Sequence, residues 1–119
     1  MAEITIVRGD TLKLTLTDIK LSDGTEYVLS DTDIVYLDMK KYATDKTAII
    51  RKSATKADYV DGDLPFVFLP VDTVNLPISD YYFDVRLFVD DDNIYTIIPI
   101  SKFRIMQNVT DIPDNGGDG

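Results

Sequence analysis

The 119-residue chain contains no cysteine, no histidine and no tryptophan. The absence of cysteine excludes disulfides and thiol chemistry. The absence of histidine as well removes Ser-His-Asp and Cys-His catalysis and every zinc site built from imidazole or thiolate. No apolar run approaches the roughly 20 residues of a membrane-spanning helix. We therefore expect no catalytic residues, no metal, no cofactor and no membrane partner.

Basic residues are scarce as well, since 12 Lys and Arg stand against 21 Asp and Glu, which gives a net charge of −9. Nucleic-acid affinity depends mainly on Lys and Arg contacts with phosphate, so this balance argues against a nucleic-acid partner. It argues against docking on anionic lipid for the same reason. The N-terminus, Met1-Ala2-Glu3, lacks a basic segment followed by an apolar one. The expectation is therefore a protein made in the cytoplasm without a signal peptide.

The remaining composition is that of one globular domain. With 45% hydrophobic and 28% charged residues, a chain of this length can bury a core without metal or disulfide support. Residues 1–110 are predicted to form that single domain. Residues 111–119 are polar and rich in glycine, and are predicted to be a disordered tail.

Alternation of apolar and polar residues with a period of two dominates the chain and is typical of β-strands. The clearest run is 80–90, where one parity holds Tyr81, Phe83, Val85, Leu87 and Val89. Similar patterns, or short apolar runs between turn residues, predict strands at 3–8, 11–17, 35–40, 47–52, 64–69, 94–98 and 102–106, and a short one at 26–29. Segments 42–46 and 72–75 could each form one helical turn. Pro99 is predicted at an edge or a bulge.

This series of short strands predicts an all-β fold, an immunoglobulin-like β-sandwich of about seven to nine strands. Tyr81 supports this prediction. It lies near the start of the longest strand, on the face predicted to point inward, and it follows a corner-like segment, 76–80. In a tyrosine corner, such a residue points inward and its hydroxyl bonds backbone upstream. The cysteine pair and the tryptophan of true immunoglobulin domains are absent.

Several short motifs invite a functional interpretation and also have a simple structural one. Arg8-Gly9-Asp10 is the tripeptide that integrins recognise, but between two strands it is better explained as a turn. Two acidic clusters, 58–63 and 90–92, do not match the EF-hand spacing, and solvated turn acids explain them better than calcium ligands do. Asn108-Val109-Thr110 fits the N-glycosylation pattern, which means nothing without export. Asp38 and Asp84 lie on outward strand faces, where solvation should leave carboxylates ordinary.

The outward aromatic residues Tyr36, Tyr82 and Phe88 are the candidate partner-binding residues. Their strands would be neighbours in one sheet of an immunoglobulin-like sandwich, and clustered exposed aromatics mark interfaces. The alternative is that they are scattered surface hydrophobes, or are covered by a loop.

Several segments are similar to a known family. Val7-Arg8-Gly9-Asp10-Thr11-Leu12-Lys13-Leu14 resembles the start of the N-terminal domain of the upper baseplate protein of siphophages that infect Gram-positive bacteria. Segment 40–53 resembles the middle region of that domain. Segment 76–85, with Tyr81-Tyr82-Phe83-Asp84-Val85 at its core, is similar to the family's YxxDV-like strand. Ile100-Ser101-Lys102-Phe103-Arg104-Ile105 resembles its closing strand. The resemblance covers about residues 3 to 110.

The resemblance implies a phage or prophage virion structural protein of the tail tip or baseplate. Such a protein would contact other virion proteins, and further copies of itself, as a protein-protein assembly module in the virion. No catalytic residues come with the family. An alternative is a carbohydrate-binding module for host cell-wall polysaccharide, in which tyrosines replace the missing tryptophan. A third is a calcium-stabilised adhesion domain.

Overall fold

The computed structural model describes residues 3–21, 23–90 and 92–109, and these residues form seven strands. In chain order the strands are β1 (Glu3–Val7), β2 (Leu12–Leu16), β3 (Ile34–Lys40), β4 (Ile50–Thr55), β5 (Leu64–Phe68), β6 (Ser79–Asp90) and β7 (Asn93–Met106). A 3₁₀ turn at Lys56–Asp58 precedes β5, and a single α-helical turn, α1 (Pro70–Thr73), follows it. Residues 111–119, predicted as a disordered tail, lie outside the described residues.

The strands form two sheets, one with the order β1-β7-β6-β3-β4 and the other a pair, β2-β5. All the neighbours are antiparallel except β1 and β7, which run parallel. This is the predicted all-β sandwich, and the strand order is immunoglobulin-like, with β2 and β5 facing a sheet centred on β7, β6 and β3. The seven strands fall at the lower end of the predicted number.

The core lies between the two sheets. Each strand contributes to it the apolar side chains of one of its two faces. On β6 the buried residues are Tyr81, Phe83, Val85 and Leu87, four of the five that alternation predicts; the fifth, Val89, is only partly buried. From the opposing pair, Phe66 and Phe68 of β5 and Leu16 of β2 point into the same space. The segment between β2 and β3 has no strand within its described residues, yet it buries Ile19 and Leu29, so it covers part of the core.

Three local predictions are wrong. Strand β4 begins three residues later than the predicted 47–52 and extends to Thr55. The segment 26–29 forms no strand, only an isolated bridge between Lys20 and Glu26. Segment 42–46 forms turns and bends, whereas the helical turn predicted at 72–75 is present two residues earlier, as α1.

The predicted strands 94–98 and 102–106 are one strand, β7, interrupted at Pro99. Phe83 pairs with Ser101, and Val85 pairs with Ile98. Between these two pairs β6 has one residue and β7 has two. That is a β-bulge at Pro99 and Ile100, as proline in the strand suggested.

The tyrosine corner is confirmed. Tyr81 is 1% exposed, and its hydroxyl donates a hydrogen bond of 2.7 Å to the carbonyl oxygen of Pro77. Burial raises the pKa of the Tyr81 hydroxyl. The bond fixes the segment that leads from α1 into β6, and so sets where β6 starts.

Replacing Tyr81 with phenylalanine should lower the free energy of unfolding by about 1–2 kcal/mol, because it leaves the Pro77 carbonyl without its donor. Urea denaturation measures this difference. The control is Tyr42→Phe, because Tyr42 is an exposed tyrosine and its hydroxyl forms no hydrogen bond with a described residue. Equal stability of Tyr81→Phe and the wild type would contradict a stabilising role for the corner.

Candidate functional site

The candidate site is the outer face of the five-stranded sheet, the face that points away from β2 and β5. It consists of the even-numbered residues of β3, the even-numbered residues of β6 up to Phe88, the odd-numbered residues of β1 and β4, and residues 102, 104 and 106 of β7. No described strand covers this face. We use "outer face" below for these side chains.

All three predicted partner-binding residues lie half-buried on the outer face, on the neighbouring strands β3 and β6. The rings of Tyr36 and Phe88 meet edge to face with centroids 5.1 Å apart. Tyr82 is beside Lys40 at the other end of the face, six residues from Phe88 along β6. At about 3.3 Å per residue this places it about 20 Å from Phe88. The structure therefore brings Tyr36 and Phe88 into ring contact and places Tyr82 farther along the same groove, which all three residues line.

Two arginines complete the cluster around Tyr36 and Phe88. The Arg51 guanidinium is 4.3 Å from the Tyr36 ring centroid, and the Arg86 guanidinium is 5.8 Å from that of Phe88. Arg51 is held in place by Asp38, with Nε–Oδ1 and Nη2–Oδ2 distances of 2.7 and 2.8 Å. We call Tyr36, Arg51, Arg86 and Phe88 the aromatic–arginine cluster. Neither arginine is among the partner-binding residues predicted from the sequence, although Arg86 lies on the same predicted strand face as Tyr82 and Phe88.

A groove of about 110 Å³ runs along the outer face between β3 and β6, and Asp84 lines it. Asp84 lies directly opposite Asp38 in the strand pairing. Burial is the main cause that raises the pKa of Asp84; Arg86 opposes it, Asp38 adds to it and Lys40 opposes it. The expectation of an ordinary carboxylate is therefore wrong for Asp84, because the groove removes part of its solvent.

The two facing carboxylates differ in their bonding. Both oxygens of Asp38 bond to Arg51. Asp84 forms neither a hydrogen bond nor an ion pair with another described residue. The carboxylate of Asp38 is therefore occupied by Arg51, whereas the carboxylate of Asp84 can accept hydrogen bonds from a ligand in the groove.

Charge is unevenly distributed between the outer face and the rest of the molecule. The face carries five basic residues (Lys40, Arg51, Arg86, Lys102, Arg104) and four acidic ones (Glu3, Asp38, Asp80, Asp84). The other 17 of the chain's 21 acidic residues and seven of its 12 basic residues lie elsewhere. The outer face is therefore near neutral in a molecule of net charge −9. A binding partner would approach it without the repulsion that an acidic surface imposes on other acidic proteins.

The Arg8-Gly9-Asp10 motif forms a turn between β1 and β2. Gly9 has a positive φ of 85°, and the Asp10 amide donates to the Val7 carbonyl at 3.0 Å. Gly9 is buried, and its amide donates to Oγ1 of the buried Thr73 at 2.8 Å. The glycine is therefore packed against α1, which supports the turn interpretation.

The acidic clusters are engaged in local hydrogen bonds. The Asp58 carboxylate accepts from the Thr55 amide at 2.8 Å, and the Asp90 carboxylate accepts from the Asp92 amide at 2.8 Å and from the Asn93 side chain. Within the described residues, no group of three His, Cys, Asp or Glu side chains is placed to hold a metal ion. Asp91 of the second cluster lies outside the described residues.

Comparison with known proteins adds no relative. No model of a known protein family matches the chain, and a search of curated proteins finds no significant match. In the part of the chain that the structure describes, no helix has the length and apolarity needed to cross a bilayer.

Proposed function

We propose that this protein is a structural component of a phage or prophage virion, in the tail tip or baseplate, and that it acts as a protein-protein assembly module. The setting comes from the resemblance of segments 7–14, 76–85 and 100–105 to the upper baseplate protein family. The observation that carries the binding role is the aromatic–arginine cluster on a sheet face that no described strand covers. The partners would be other virion proteins, with further copies of the chain in the same assembly.

The composition of the cluster supports a protein partner. Tyrosine, phenylalanine and arginine are enriched at protein interfaces, and tyrosine and arginine are frequent among the residues that dominate binding energy. The bond to Asp38 and the stacking on Tyr36 order Arg51 before any partner arrives. An ordered arginine loses less side-chain entropy on binding than a free one does.

The proposal assigns no catalytic role to this face. Glycoside hydrolysis by carboxylates needs two carboxyl groups in different states, both able to reach the substrate. Asp84 meets that requirement in part, but Asp38 has both oxygens bonded to Arg51. The face is better suited to binding than to chemistry.

The test uses purified tail proteins encoded by the same phage or prophage genome, each measured against this protein by calorimetry. We expect Tyr36→Ser combined with Phe88→Ser to weaken the pair that forms by at least about tenfold, since residues of this type often contribute more than about 1.4 kcal/mol. Val71→Ser is the matched control, because Val71 is an apolar residue on α1 that is 70% exposed.

Three outcomes separate the parts of the proposal. Weaker binding by the double variant alone supports the cluster as the docking site. Equal binding by wild type and double variant would reject the cluster while leaving an assembly role. Failure of every tail protein to bind the wild type would reject the assembly role. Circular dichroism must show that both variants remain folded.

A further inference from the structure

We propose that the groove around Asp84 binds one ring of a neutral saccharide. This ligand goes beyond the assembly role, and its recognition depends on Tyr82, Asp84, Lys40 and Arg86, although Tyr36, Arg51 and Phe88 of the aromatic–arginine cluster line the same groove. Tyr82 and Lys40 pair across β6 and β3, and Asp84 is the next outward residue along β6. All three line the groove.

The polar groups of the groove leave both donors and acceptors for a ligand. Asp84 offers carboxylate oxygens that no described residue occupies. Lys40 and Arg86 offer N–H groups, and neither forms an ion pair with a described residue. A ligand that fits must therefore donate to the carboxylate and accept from the cations within one small volume.

Charge selects among the ligand classes. A cationic group near Asp84 would lie close to Lys40 and Arg86, and an anionic group would lie close to both Asp84 and Asp38. A hydroxyl group donates and accepts without carrying charge. Neighbouring hydroxyls on one ring can bond a carboxylate and a cation together, and a polar group that is half-desolvated already gains more from such a bond than one in water.

The apolar side chains of the groove can pack against the C–H face of a sugar ring. Tyr82 supplies an aromatic side chain and Ile100 an apolar one. A pyranose presents an apolar face of C–H groups that can pack on such surfaces, while its hydroxyls point to the sides. Few other neutral ligands combine a rigid apolar face with a ring of hydroxyls.

The backbone builds the groove at this position. The bulge at Pro99 and Ile100 lies opposite Asp84, between the pairs Phe83–Ser101 and Val85–Ile98. The Ser101 hydroxyl donates to the Pro99 carbonyl at 2.8 Å, which fixes the bulge. Bulges re-aim side chains and are common beside functional sites. Here the bulge leaves Asp84 without a partner in the β7 ladder.

The test is a titration of the full chain with methyl glycosides of glucose, galactose and mannose, followed by amide chemical shifts. We expect saturable shifts from at least one glycoside, with a Kd on the order of 1 mM, confined to residues near 40, 82–86 and 100. Asp84→Asn should weaken that binding by about tenfold, since it removes a charge-assisted hydrogen bond. Asp80→Asn is the matched control, an acid-to-amide change on the same strand face that should leave the Kd unchanged.

Asp84→Asn also has a stability readout. Like charges directly opposite each other across strands are unfavourable, so this variant should be as stable as the wild type or slightly more stable. A folded, stable Asp84→Asn protein with weaker glycoside binding is the supporting result.

No saturable shift with any of the three glycosides would overturn the proposal, as would shifts that Asp84→Asn leaves unchanged. The two tests remain distinguishable because they use different ligands. Failure of every tail protein to bind would reject the assembly role, whereas absence of saturable glycoside shifts would reject the saccharide site alone.

Discussion

Replacing Phe103 with alanine should lower the free energy of unfolding by about 3–5 kcal/mol, a large part of the stability of a domain this size. Phe103 on β7 is fully buried. Its ring centroid lies 5.4 Å from that of Phe68 on β5 and 6.1 Å from that of Phe83 on β6. It therefore connects the two sheets, and truncation would open a cavity where neighbouring rings cannot easily collapse.

Equilibrium unfolding in urea measures this loss, and Phe103→Leu provides a graded comparison. Leucine keeps most of the buried apolar volume, so its effect should be clearly smaller. Ile100→Ala, three residues earlier on the same strand, is the surface control because Ile100 is 47% exposed. If Phe103→Ala cost no more than Ile100→Ala, the aromatic contacts between the sheets would not be a main source of stability.

The features that could be predicted from the sequence depend on contacts within one strand. The parity of Tyr81, Phe83, Val85 and Leu87 identifies the buried face of β6 without knowledge of its neighbours. The tyrosine corner is equally local, since Tyr81 and Pro77 are four residues apart. Such features need only the period of the strand and a turn nearby.

The start of β4 could not be predicted because its phase is ambiguous in the sequence. Ile49 and Ile50 are adjacent and apolar, so alternation does not say which one points inward. The pairing with β3 decides, since it places Ile50 opposite Met39 and buries it while Ile49 remains exposed. The same pairing puts Arg51 opposite Asp38. An error in the bounds of β4 therefore also hides the aromatic–arginine cluster.

The groove could not be predicted either, because it also depends on how the strands pair. Asp38 and Asp84 can each be placed on an outward face from the sequence, but their meeting depends on the register between β3 and β6. The free volume beside Asp84 depends on the bulge at Pro99 and Ile100. Proline indicated an irregularity in β7 but not the residue of β6 that lies across from it. Long-range register, rather than strand content, limits prediction of this site.

Replacing Asp33 with alanine should lower the free energy of unfolding by about 2–4 kcal/mol, because two hydrogen bonds to a buried charged group would be lost. Asp33 is fully buried just before β3, and its Oδ2 accepts from the Tyr27 hydroxyl at 2.7 Å and from the Ser30 amide at 2.9 Å. These bonds hold the end of the long segment that carries Leu29 into the core. Asp33→Asn keeps an acceptor oxygen for both donors and should have a smaller effect.

The pH dependence of stability provides a second test of Asp33. Desolvation raises its pKa, but the bonds from Ser30 and Tyr27 outweigh this, so the pKa is lowered overall. A carboxylate with a lowered folded-state pKa stabilises the fold above its ordinary value near about 4, and this contribution is lost as the pH falls through the folded-state pKa. The wild type should therefore lose stability below about pH 4 more steeply than Asp33→Asn.

The hydrogen bond between Tyr27 and Asp33 can also be tested at high pH. The hydrogen bond to Asp33 raises the pKa of Tyr27 to about 12, above the ordinary value of about 10. The bond stabilises the folded state below about pH 10, and that stabilisation is lost as the pH rises toward 12. In a titration of tyrosinate absorbance, one tyrosine should move to lower pH in Asp33→Ala while Tyr81 keeps its raised pKa. An unchanged titration curve would show that the carboxylate does not hold the Tyr27 hydroxyl, and the expected loss of stability would then have no basis.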